Sequence, residues 1–344
     1  MSASRMKAAI LQKPGVLKVR EVPRPSLNAH QVRIKVARAG ICGSDAIAFR
    51  SGLARVKFPY IPGHEFSGII IEAGNETNFH PGQSVTVMPF LSCGECAFCR
   101  SQKIWRCPNI KFYGVKLPGA FAEEVVVADH RVRLLPDYMS LDEGAFIEPL
   151  AVILHVLNRA HLQPEDNVAI LGAGSLGLIT IQELAARGIQ FTMATGRVEQ
   201  KLSLAQKFGA HLVVNATSED VIKRGLEVIP GGFDVILDFV CSQPTINQAI
   251  ALGKPGARII LIAAPHPDQL LSCDYASVYR KELTLGASYL YSDEEFNQAV
   301  SLLTKERIRV APTITARFKL SEAPQAMDFV VNNRKEAIKV FIEP

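Results

Sequence analysis

The sequence predicts an α/β protein of two domains, in which a mostly antiparallel β domain is joined to a doubly wound parallel sheet. Up to about residue 150, short β-branched runs are separated by Gly and Pro, which is typical of antiparallel strands joined by turns. From about residue 153, apolar strands alternate with amphipathic helices, which favours a parallel sheet covered by helices. Hydrophobic residues make up 48% of the 344 residues, and this share is sufficient for two cores.

The hydrophobic pattern places the elements in chain order. In the first domain it predicts strands at 32–36, 68–71, 84–87 and 124–127. In the second it predicts a strand at 167–171, a helix at 175–188 and further strands at 191–194, 212–214, 235–239 and 258–262. After residue 290 it predicts helices at 294–305 and 323–332, and strands at 312–316 and 337–342. We expect this last segment to rejoin the first domain, so that the predicted domains are 1–153 with 291–344, and 154–290.

Charge and composition exclude several classes of protein. The net charge of +5 comes from 38 basic and 33 acidic residues, which are spread along the chain without a long run of Lys and Arg. This distribution argues against a nucleic-acid partner and is compatible with a small anionic ligand. No segment approaches the roughly 18 consecutive apolar residues of a membrane span, and the first residues lack the apolar stretch of a secretory signal. We therefore expect a cytoplasmic protein without a membrane partner.

A glycine-rich turn lies between the first predicted strand of the second domain and the helix that follows it. Residues 172–177 match the pattern G-x-G-x-x-G in the context of a strand, a turn and a helix. The first glycine permits the tight turn, the second lets the backbone approach a pyrophosphate, and the third allows close packing of helix on strand. The alternative is that the glycines only shape the turn. The predicted phosphate-binding residues of a dinucleotide site are Gly172, Gly174, Ser175, Leu176 and Gly177.

The end of the second strand of this sheet decides between NAD and NADP. An acidic side chain at this place would bind the ribose 2′-hydroxyl of NAD, but the segment 194–199 carries no carboxylate at the strand end. Gly196 leaves room for a 2′-phosphate, and Arg197, helped by Lys201, can pair with it through charge-assisted hydrogen bonds. The sequence therefore favours NADP over NAD. Two alternatives stay open, since Arg197 can be a solvated surface charge and Glu199 can serve the ribose if the turn is longer.

Seven cysteines in a chain without a secretory signal indicate metal binding or chemistry rather than disulfides. Four of them fall within fifteen residues, in a lobe that spans about residues 88–112, at Cys93, Cys96, Cys99 and Cys107. Four thiolates on one short lobe are what a closed tetrahedral zinc site requires, so we expect a structural zinc there. An iron–sulfur cluster is the alternative.

A catalytic zinc needs an open coordination position, so its protein ligands must come from elsewhere in the chain. Cys42 and His64 both lie on predicted turns, where side chains can converge. Glu65, next to His64, and Glu148 offer carboxylate ligands. Taken singly, a buried Cys or His is more often an inert core residue than a metal ligand.

These motifs occur together in one family. The segments that match it in order and spacing are 39–45, 63–65, 119–123, 148–150 and 172–177, together with the four-cysteine lobe. The chain resembles the zinc-containing medium-chain alcohol and polyol dehydrogenases over nearly its whole length, and looks closest to the branch of sorbitol, galactitol-phosphate and aldonate dehydrogenases. The resemblance implies a GroES-like catalytic domain, a Rossmann domain, a homodimer or homotetramer, and two zinc ions per chain. It also implies that the active-site zinc is held by Cys42, His64 and Glu148, with Glu65 able to coordinate or to exchange with water.

Further roles follow from the resemblance. Asp45 corresponds to a carboxylate that hydrogen-bonds and orients His64, although a turn-forming Asp is the alternative. Ser44 corresponds to the hydroxyl that takes the proton from the alcohol, although it can also cap a helix that begins at Asp45. The sequence departs from the family at Ile47, where many relatives carry a His that passes the proton on. It departs again at Gly196, where many NAD-using relatives carry Asp.

The resemblance implies an oxidoreductase that transfers a hydride between NAD(P) and the secondary alcohol of a polyol, a polyol phosphate or a sugar acid. Four cations in predicted loops could bind a phosphate or carboxylate of such a substrate, although surface solvation is the simpler explanation for each: Arg50, Arg55, Lys57 and Lys116. Threonine or a simple alcohol is the alternative substrate within the family. A non-catalytic zinc- and dinucleotide-binding protein and a zinc-free quinone reductase are alternatives of other kinds, and the complete set of potential zinc ligands disfavours both.

Overall fold

The computed structural model of the chain describes residues 4–52, 56–265, 268–304 and 308–344. The chain divides into two compact units. The first contains Met1–Ala151, Ser292–Lys305 and Val310–Pro344, and the second contains Val152–Tyr291 and Glu306–Arg309. Compact packing by itself does not define a domain that folds alone. The domain limits of 1–153 with 291–344, and of 154–290, therefore stay a prediction.

Short strands dominate the first part of the chain. They are β1 (Arg5–Lys13), β2 (Val16–Pro23), β3 (Gln31–Gly40), β4 (Glu65–Ala73), β5 (Ser84–Val87), β6 (Phe90–Leu91), β7 (Lys111–Phe112), β8 (Glu124–Ala128) and β9 (Val132–Leu134). Short helices lie among them at α1 (Gly43–Ser51) and α2 (Ala97–Arg100), and the longer α3 (Leu141–Ala160) follows. The strands predicted from β-branched runs are confirmed, since they lie within β3, β4, β5 and β8.

Strands and helices alternate in the next part of the chain. The elements are β10 (Asn167–Leu171), α4 (Ser175–Ala186), β11 (Phe191–Gly196), α5 (Glu199–Lys207), β12 (Leu212–Asn215), α6 (Val221–Val228), β13 (Phe233–Asp238), α7 (Gln243–Leu252), β14 (Gly253–Leu261), α8 (Tyr275–Arg280) and β15 (Thr284–Ala287). The strands pair in parallel in the order β12-β11-β10-β13-β14-β15. The chain builds the sheet outward from β10 in one direction and then from β13 in the other, as in a Rossmann fold, so the predicted doubly wound sheet is confirmed.

The last elements complete the sheet of the first unit. They are α9 (Asp293–Thr304), β16 (Ile314–Lys319), α10 (Ala323–Asn332) and β17 (Lys339–Glu343). The order of this sheet is β16-β17-β3-β4-β5-β9, with β8 paired to β3. Apart from the parallel pair of β16 and β17, neighbouring strands are antiparallel. The mostly antiparallel β domain is therefore confirmed, and β17 lies directly beside β3.

Each unit has its own hydrophobic core. In the first, Ile34 of β3, Phe66 of β4 and Val85 of β5 are buried together. In the second, Met193 of β11 and Ile236 of β13 belong to a separate buried cluster. These buried apolar side chains form the two cores. Among the described residues, no helix is both long enough and apolar enough to cross a bilayer.

Local sequence signals explain where elements differ from their predicted limits. Pro312 lies in a short 3-10 turn at Ala311–Thr313 rather than in a strand, and β16 begins after it, because proline cannot donate a backbone hydrogen bond to a sheet. α4 ends at Ala186, and the chain turns at Gly188 with a φ of 71°. Residue 305, the predicted end of the helix at 294–305, lies outside the described residues.

Candidate active site and metal centres

Three potential metal ligands meet beside the end of β3. Cys42 is the N-cap residue of α1, His64 directly precedes β4, and Glu65 is the first residue of β4. The strand register places Glu65 opposite Gly40, two residues before Cys42. As a result, the thiol, the imidazole and the carboxylate lie within 4.8 Å of one another. His64 and Glu65 are buried, whereas Cys42 is partly exposed.

The carboxylate of Glu65 forms a buried ion pair with Lys339 of β17. Nζ of Lys339 donates a hydrogen bond to Oε2 of Glu65, and both side chains are at most 4% exposed. Nζ also lies 5.6 Å from the ring centroid of Phe146. Burial lowers the pKa of Lys339, but the negative charges of Glu65 and Cys42 outweigh this effect and raise it. Lys339 is therefore a cation at the edge of the cluster.

Gly40 leaves the space that this carboxylate occupies. A Cβ atom at position 40 would lie 2.5 Å from Oε2 of Glu65 and 3.3 Å from its Cβ. Gly40 is also the partner of Phe341 across the pair of β3 and β17. A glycine thus stands between the strands that carry Glu65 and Lys339, and a larger residue would push them apart.

Asp45 faces His64, but the expected hydrogen bond between them is not formed. Oδ1 of Asp45 lies 3.8 Å from Nδ1 of His64, and this nitrogen has no hydrogen-bond partner among the described residues. The reason is that Asp45 serves the start of its own helix, where Oδ2 accepts a hydrogen bond from the backbone N–H of Cys42 at 3.0 Å. Burial lowers the pKa of His64, yet the charges of Asp45 and Cys42 raise it well above its ordinary value. Asp45 therefore acts on His64 through its charge.

Ser44, the expected proton acceptor, lies in the first turn of α1 and is partly exposed. This helix begins at Gly43 and has Cys42 as its N-cap residue. The alternative that Ser44 caps a helix beginning at Asp45 is therefore wrong. Ile47 lies three residues further along the same helix, and its alkyl side chain has no group that could carry a proton.

Glu148, the third expected ligand, lies within α3 and is buried. The structure does not include it in the 4.8 Å cluster of Cys42, His64 and Glu65. Burial lowers the pKa of His64 and that of Lys339. The charge of Glu148 is one of several negative charges that raise both pKa values. Glu148 thus belongs to the same buried electrostatic environment, while the carboxylate that joins the thiol and the imidazole in the cluster is that of Glu65.

The four cysteines of the predicted lobe converge on one point. The Sγ atoms are 3.4 Å apart in Cys96 and Cys99, 3.5 Å apart in Cys93 and Cys107, and 3.9 Å apart in Cys93 and Cys99. All four lie within 4.8 Å of one another. Zn–S bonds of about 2.3 Å place the sulfur atoms of a tetrahedral site about 3.8 Å apart. The four thiols therefore fit a closed zinc site.

Thiols of this lobe have shifted pKa values. Backbone N–H groups of Glu95 and Cys96 donate hydrogen bonds that lower the pKa of Cys93 to about 6. Burial raises the pKa of Cys107 to about 11. The hydrogen bonds thus favour the thiolate form of Cys93 and burial opposes that of Cys107, whereas a bound cation favours the thiolate of both.

The glycine-rich turn joins β10 to α4 in a tight bend. Gly172 has a φ of 110°, and its N–H and that of Ala173 donate to the carbonyl of Thr195 at 3.1 and 2.8 Å. α4 then begins at Ser175 with Gly174 as its N-cap residue, which has no side chain that could accept a hydrogen bond from the N–H groups of the first turn. The predicted phosphate-binding residues are therefore brought together at the start of α4, namely Gly172, Gly174, Ser175, Leu176 and Gly177.

The end of β11 carries Gly196 and no carboxylate. Arg197 is exposed beside it, and Lys201 follows on the first turn of α5, where burial lowers its pKa. The carboxylate of Glu199 accepts a hydrogen bond from the side-chain amide of Asn215 at 3.2 Å. Glu199 is thus engaged with the end of β12.

The cations considered for substrate binding differ in their surroundings. Arg50 and Lys57 are exposed. The ammonium of Lys116 donates a hydrogen bond to the carbonyl of Ile110 at 2.9 Å. This hydrogen bond stabilises the segment in which the chain leaves the four-cysteine lobe. Arg55 lies outside the described residues.

Family models match the chain in both units. A model described as an alcohol dehydrogenase GroES-like domain matches residues 28–137, and one described as a zinc-binding dehydrogenase matches residues 175–305. Galactitol 1-phosphate 5-dehydrogenase of Escherichia coli (strain K12) is 32% identical over 338 residues, which are 95% of this chain and 97% of that protein. The chain belongs to the zinc-containing medium-chain alcohol and polyol dehydrogenases. The family inferred from the motifs is therefore confirmed.

This dehydrogenase has further relatives of the same kind. D-arabitol-phosphate dehydrogenase of Enterococcus avium is 31% identical over 346 residues, which are 98% of this chain and 97% of that protein. A structure described as a zinc-binding dehydrogenase of Sinorhizobium meliloti 1021 bound to NADP has a TM-score of 0.92 at 30% identity and covers 99% of this chain and 100% of its own. One described as a short chain alcohol dehydrogenase of E. coli CFT073 complexed with NADH has a TM-score of 0.91 at 27% identity, with coverages of 99% and 100%. The chain is thus an oxidoreductase of the zinc- and nicotinamide-dependent type.

Lys339 is the residue of the site that sequence reasoning missed. A signal was present, because Lys339 is a charged residue in the otherwise apolar run at 337–342 that was predicted as a strand. A lysine in a buried strand needs an anionic partner. The sequence does not identify this partner, because Glu65 is 274 residues away.

Proposed function

We propose that the dehydrogenase oxidises a secondary alcohol of a polyol phosphate, with one zinc ion in the active site, a second in the four-cysteine lobe, and NADP as the preferred hydride acceptor. The observation that carries this proposal is the convergence of Cys42, His64 and Glu65 beside the end of β3. The two relatives named for phosphorylated polyols, at 31% and 32% identity over nearly the whole chain, support the substrate class. The exposed Arg50 and Lys57 are candidate partners for the phosphate.

The donor set of the cluster fits zinc. Thiolate, imidazole and carboxylate are the ligand types that zinc takes in proteins, and a catalytic site uses three of them with one position open. We propose Cys42, His64 and Glu148 as these ligands, and Glu65 as a carboxylate that either coordinates or stays paired with Lys339. When bound, zinc lowers the pKa of a substrate hydroxyl, and the nicotinamide accepts the hydride.

The residues of α1 prepare the site for removal of a proton. Ser44 is the proposed acceptor of the hydroxyl proton of the substrate. Asp45 holds the start of the helix through its hydrogen bond to the N–H of Cys42, and it thereby keeps Ser44 and the thiol in a fixed relation. Because Ile47 cannot pass the proton on, the path beyond Ser44 must continue through a water molecule or a cofactor hydroxyl.

The four-cysteine lobe is proposed to bind a structural zinc. Its four thiols fill every position of a tetrahedral ion, so no substrate could reach the metal. All seven cysteines of the chain are free. We propose a cytoplasmic location, because a reducing compartment keeps such thiols available to metal.

A substrate panel tests the proposed function. It should contain galactitol 1-phosphate, arabitol phosphate, the matching free polyols, aldonates, threonine and ethanol, each with NADP and with NAD. We expect kcat/KM for a polyol phosphate to exceed that for the matching free polyol by at least about tenfold, because charge-assisted hydrogen bonds to a phosphate are strong. A higher kcat/KM for a free polyol, an aldonate or threonine would reject the phosphorylated substrate.

Glu148→Ala should remove the active-site zinc and leave the lobe zinc in place. Metal analysis should fall from two zinc ions per chain to one, and kcat should fall by at least about 100-fold, because even residues that only support a ligand contribute about 10- to 100-fold. Glu165→Ala changes an exposed glutamate shortly after α3 and should keep both ions and the wild-type kcat. Two zinc ions and full activity in Glu148→Ala would exclude Glu148 as a ligand.

The proposed preference for NADP rests on the end of β11. Gly196 places no side chain there, and Arg197 is exposed beside it. Glu199, the alternative partner of the ribose, is already engaged by Asn215. Arg197 is therefore the cation proposed to pair with a 2′-phosphate, and Lys201 is proposed to assist it.

Gly196→Asp should shift the preference from NADP to NAD. A carboxylate at the end of β11 repels a 2′-phosphate and can accept a hydrogen bond from a ribose hydroxyl. The new Cβ would lie 3.2 Å from Cδ2 of Leu202, the end of a flexible side chain. We expect the ratio of kcat/KM for NADP to that for NAD to fall by at least about tenfold, whereas Gly196→Ala should keep the wild-type ratio. A wild type that prefers NAD would reject the role of Arg197.

We propose a homodimer that forms through β15, the edge strand of the parallel sheet. An edge strand presents backbone groups with which a second chain can pair, and a two-fold axis brings identical edges together. Exposed apolar side chains lie on and near this strand. They are Tyr275, Tyr279, Leu285 and Tyr289, of which the tyrosines are 66–71% exposed.

Tyr279→Glu should weaken this dimer, because it places a charge on an apolar interface. Light scattering during size-exclusion chromatography should show a dimer for the wild type and a shift toward the monomer mass for the variant. Tyr138→Glu is the matched control, since Tyr138 is also 71% exposed but belongs to the first unit. A monomeric wild type, or an equal shift in Tyr138→Glu, would reject an interface at β15.

A further inference from the structure

Phe112 of β7 connects the four-cysteine lobe with the imidazole of His64. The two rings meet edge-on, with their centroids 5.3 Å apart and their planes at 72°. Phe112 also stacks on Phe90 of β6, with centroids 6.0 Å apart and planes at 12°. Phe90 is fully buried, and the guanidinium of Arg131 lies 5.9 Å from its ring centroid. Phe112 therefore links a fixed aromatic side chain to a proposed zinc ligand.

The two phenylalanines face each other because they lie in the ribbon that closes the lobe. β6 and β7 pair with Phe90 opposite Phe112, and each strand has only 2 residues. A ribbon of this size is not stable by itself. Next to it, Sγ of Cys107 lies 3.5 Å from Sγ of Cys93 and accepts a hydrogen bond from the backbone N–H of Cys93 at 3.4 Å. These contacts between Cys93 and Cys107 therefore hold together the segments that carry the two strands of the ribbon.

The segment after β7 packs against the residue that precedes His64. The backbone N–H of Ala120 donates to the carbonyl of Gly63 at 2.9 Å. A Cβ atom at Gly114 would lie 2.7 Å from the same carbonyl oxygen, so the two backbones are in direct contact. A displacement of β7 would therefore move the backbone that carries His64 as well as the ring that touches it.

Among the described residues, none fixes the Nδ1 side of the imidazole by a hydrogen bond. Nδ1 of His64 has no hydrogen-bond partner among the described residues, and Asp45 lies 3.8 Å from it. The hydrogen bond between the imidazole and Cys42 joins two proposed ligands to each other and does not fix the pair against the scaffold. The edge contact with Phe112 therefore constrains the imidazole ring of His64, which no hydrogen bond at Nδ1 holds in place.

We propose that Phe112 is a positioning residue that makes zinc retention by Cys42 and His64 depend on closure of the four-cysteine lobe. The inference rests on the active-site zinc proposed above. A closed lobe fixes the ribbon of β6 and β7, the ribbon holds Phe112 against His64, and the imidazole keeps the orientation that binds metal. Loss of metal from the lobe releases this support and loosens the second site, although the two sites share no ligand.

Zinc release to a chromogenic chelator measures this dependence without an assay of turnover. The wild type should release zinc in two phases, and His64→Ala should lack the phase of the active site. Phe112→Leu should accelerate that phase by about two- to tenfold, the effect of losing one aromatic pair. The lobe phase should stay unchanged. Phe112→Tyr keeps the ring and should release zinc at the wild-type rate.

Phe98→Leu is the matched control, because Phe98 is an exposed phenylalanine on α2 of the same lobe. It should change neither phase. An unchanged active-site phase in Phe112→Leu, or equal acceleration in Phe98→Leu, would overturn the role of Phe112. If His64→Ala instead released two zinc ions as the wild type does, the proposed active-site zinc itself would be refuted, so the two failures are distinguishable.

A double-variant cycle tests the link to the lobe. Cys107→Ser removes a ligand beside the ribbon and should accelerate release from the active site in the wild-type background, but not further in the Phe112→Leu background. Cys96→Ser removes a ligand at the start of α2 and provides the same test if Cys107→Ser does not fold. Equal acceleration in both backgrounds would show that the lobe acts without Phe112 and would overturn the proposal.

Discussion

The buried ion pair of Glu65 and Lys339 sets the architecture around the active site. A carboxylate removed from water is stable only with a cation and hydrogen bonds close by. Lys339 supplies both, and it reaches Glu65 because β17 pairs with β3. Gly40 of β3 leaves the space between them. The return of the chain to the first sheet is therefore a condition for burying the acidic side of the metal cluster.

Features that depend on neighbouring residues could be predicted from the sequence. The turn at 172–177 requires glycine because of its own backbone angles, and Gly172 has a φ of 110°. The four-cysteine lobe is equally local, since its ligands fall within fifteen residues and their chemistry identifies them. The strand and helix periods also depend only on residues close in the chain. These signals were sufficient for the fold class and for the four-cysteine lobe, whereas the set of Cys42, His64 and Glu148 came from the resemblance to the family.

Features that depend on distant residues could not be predicted. The pairing of Lys339 with Glu65 follows from the register of β17 beside β3, and no local pattern encodes a register between strands so far apart. The motif around Asp45 correctly placed this carboxylate near His64. It could not show that the carboxylate accepts a hydrogen bond from the N–H of Cys42 and none from His64. The contact of Phe112 with His64 likewise arises from the pairing of β6 and β7. Sequence patterns thus identified residues of the site but could not predict the contacts between them.

Glu65 and Lys339 also enter the protein at very different times. A ribosome adds about 5–20 residues per second, so the 274 residues that separate them take about 14–55 s to translate. During this interval the nascent chain holds Glu65 without its cation, and the carboxylate must stay hydrated. The strands of the parallel sheet are all synthesised before Lys339. The charge balance of the active site is therefore completed only when Lys339 has been made, long after Cys42 and His64.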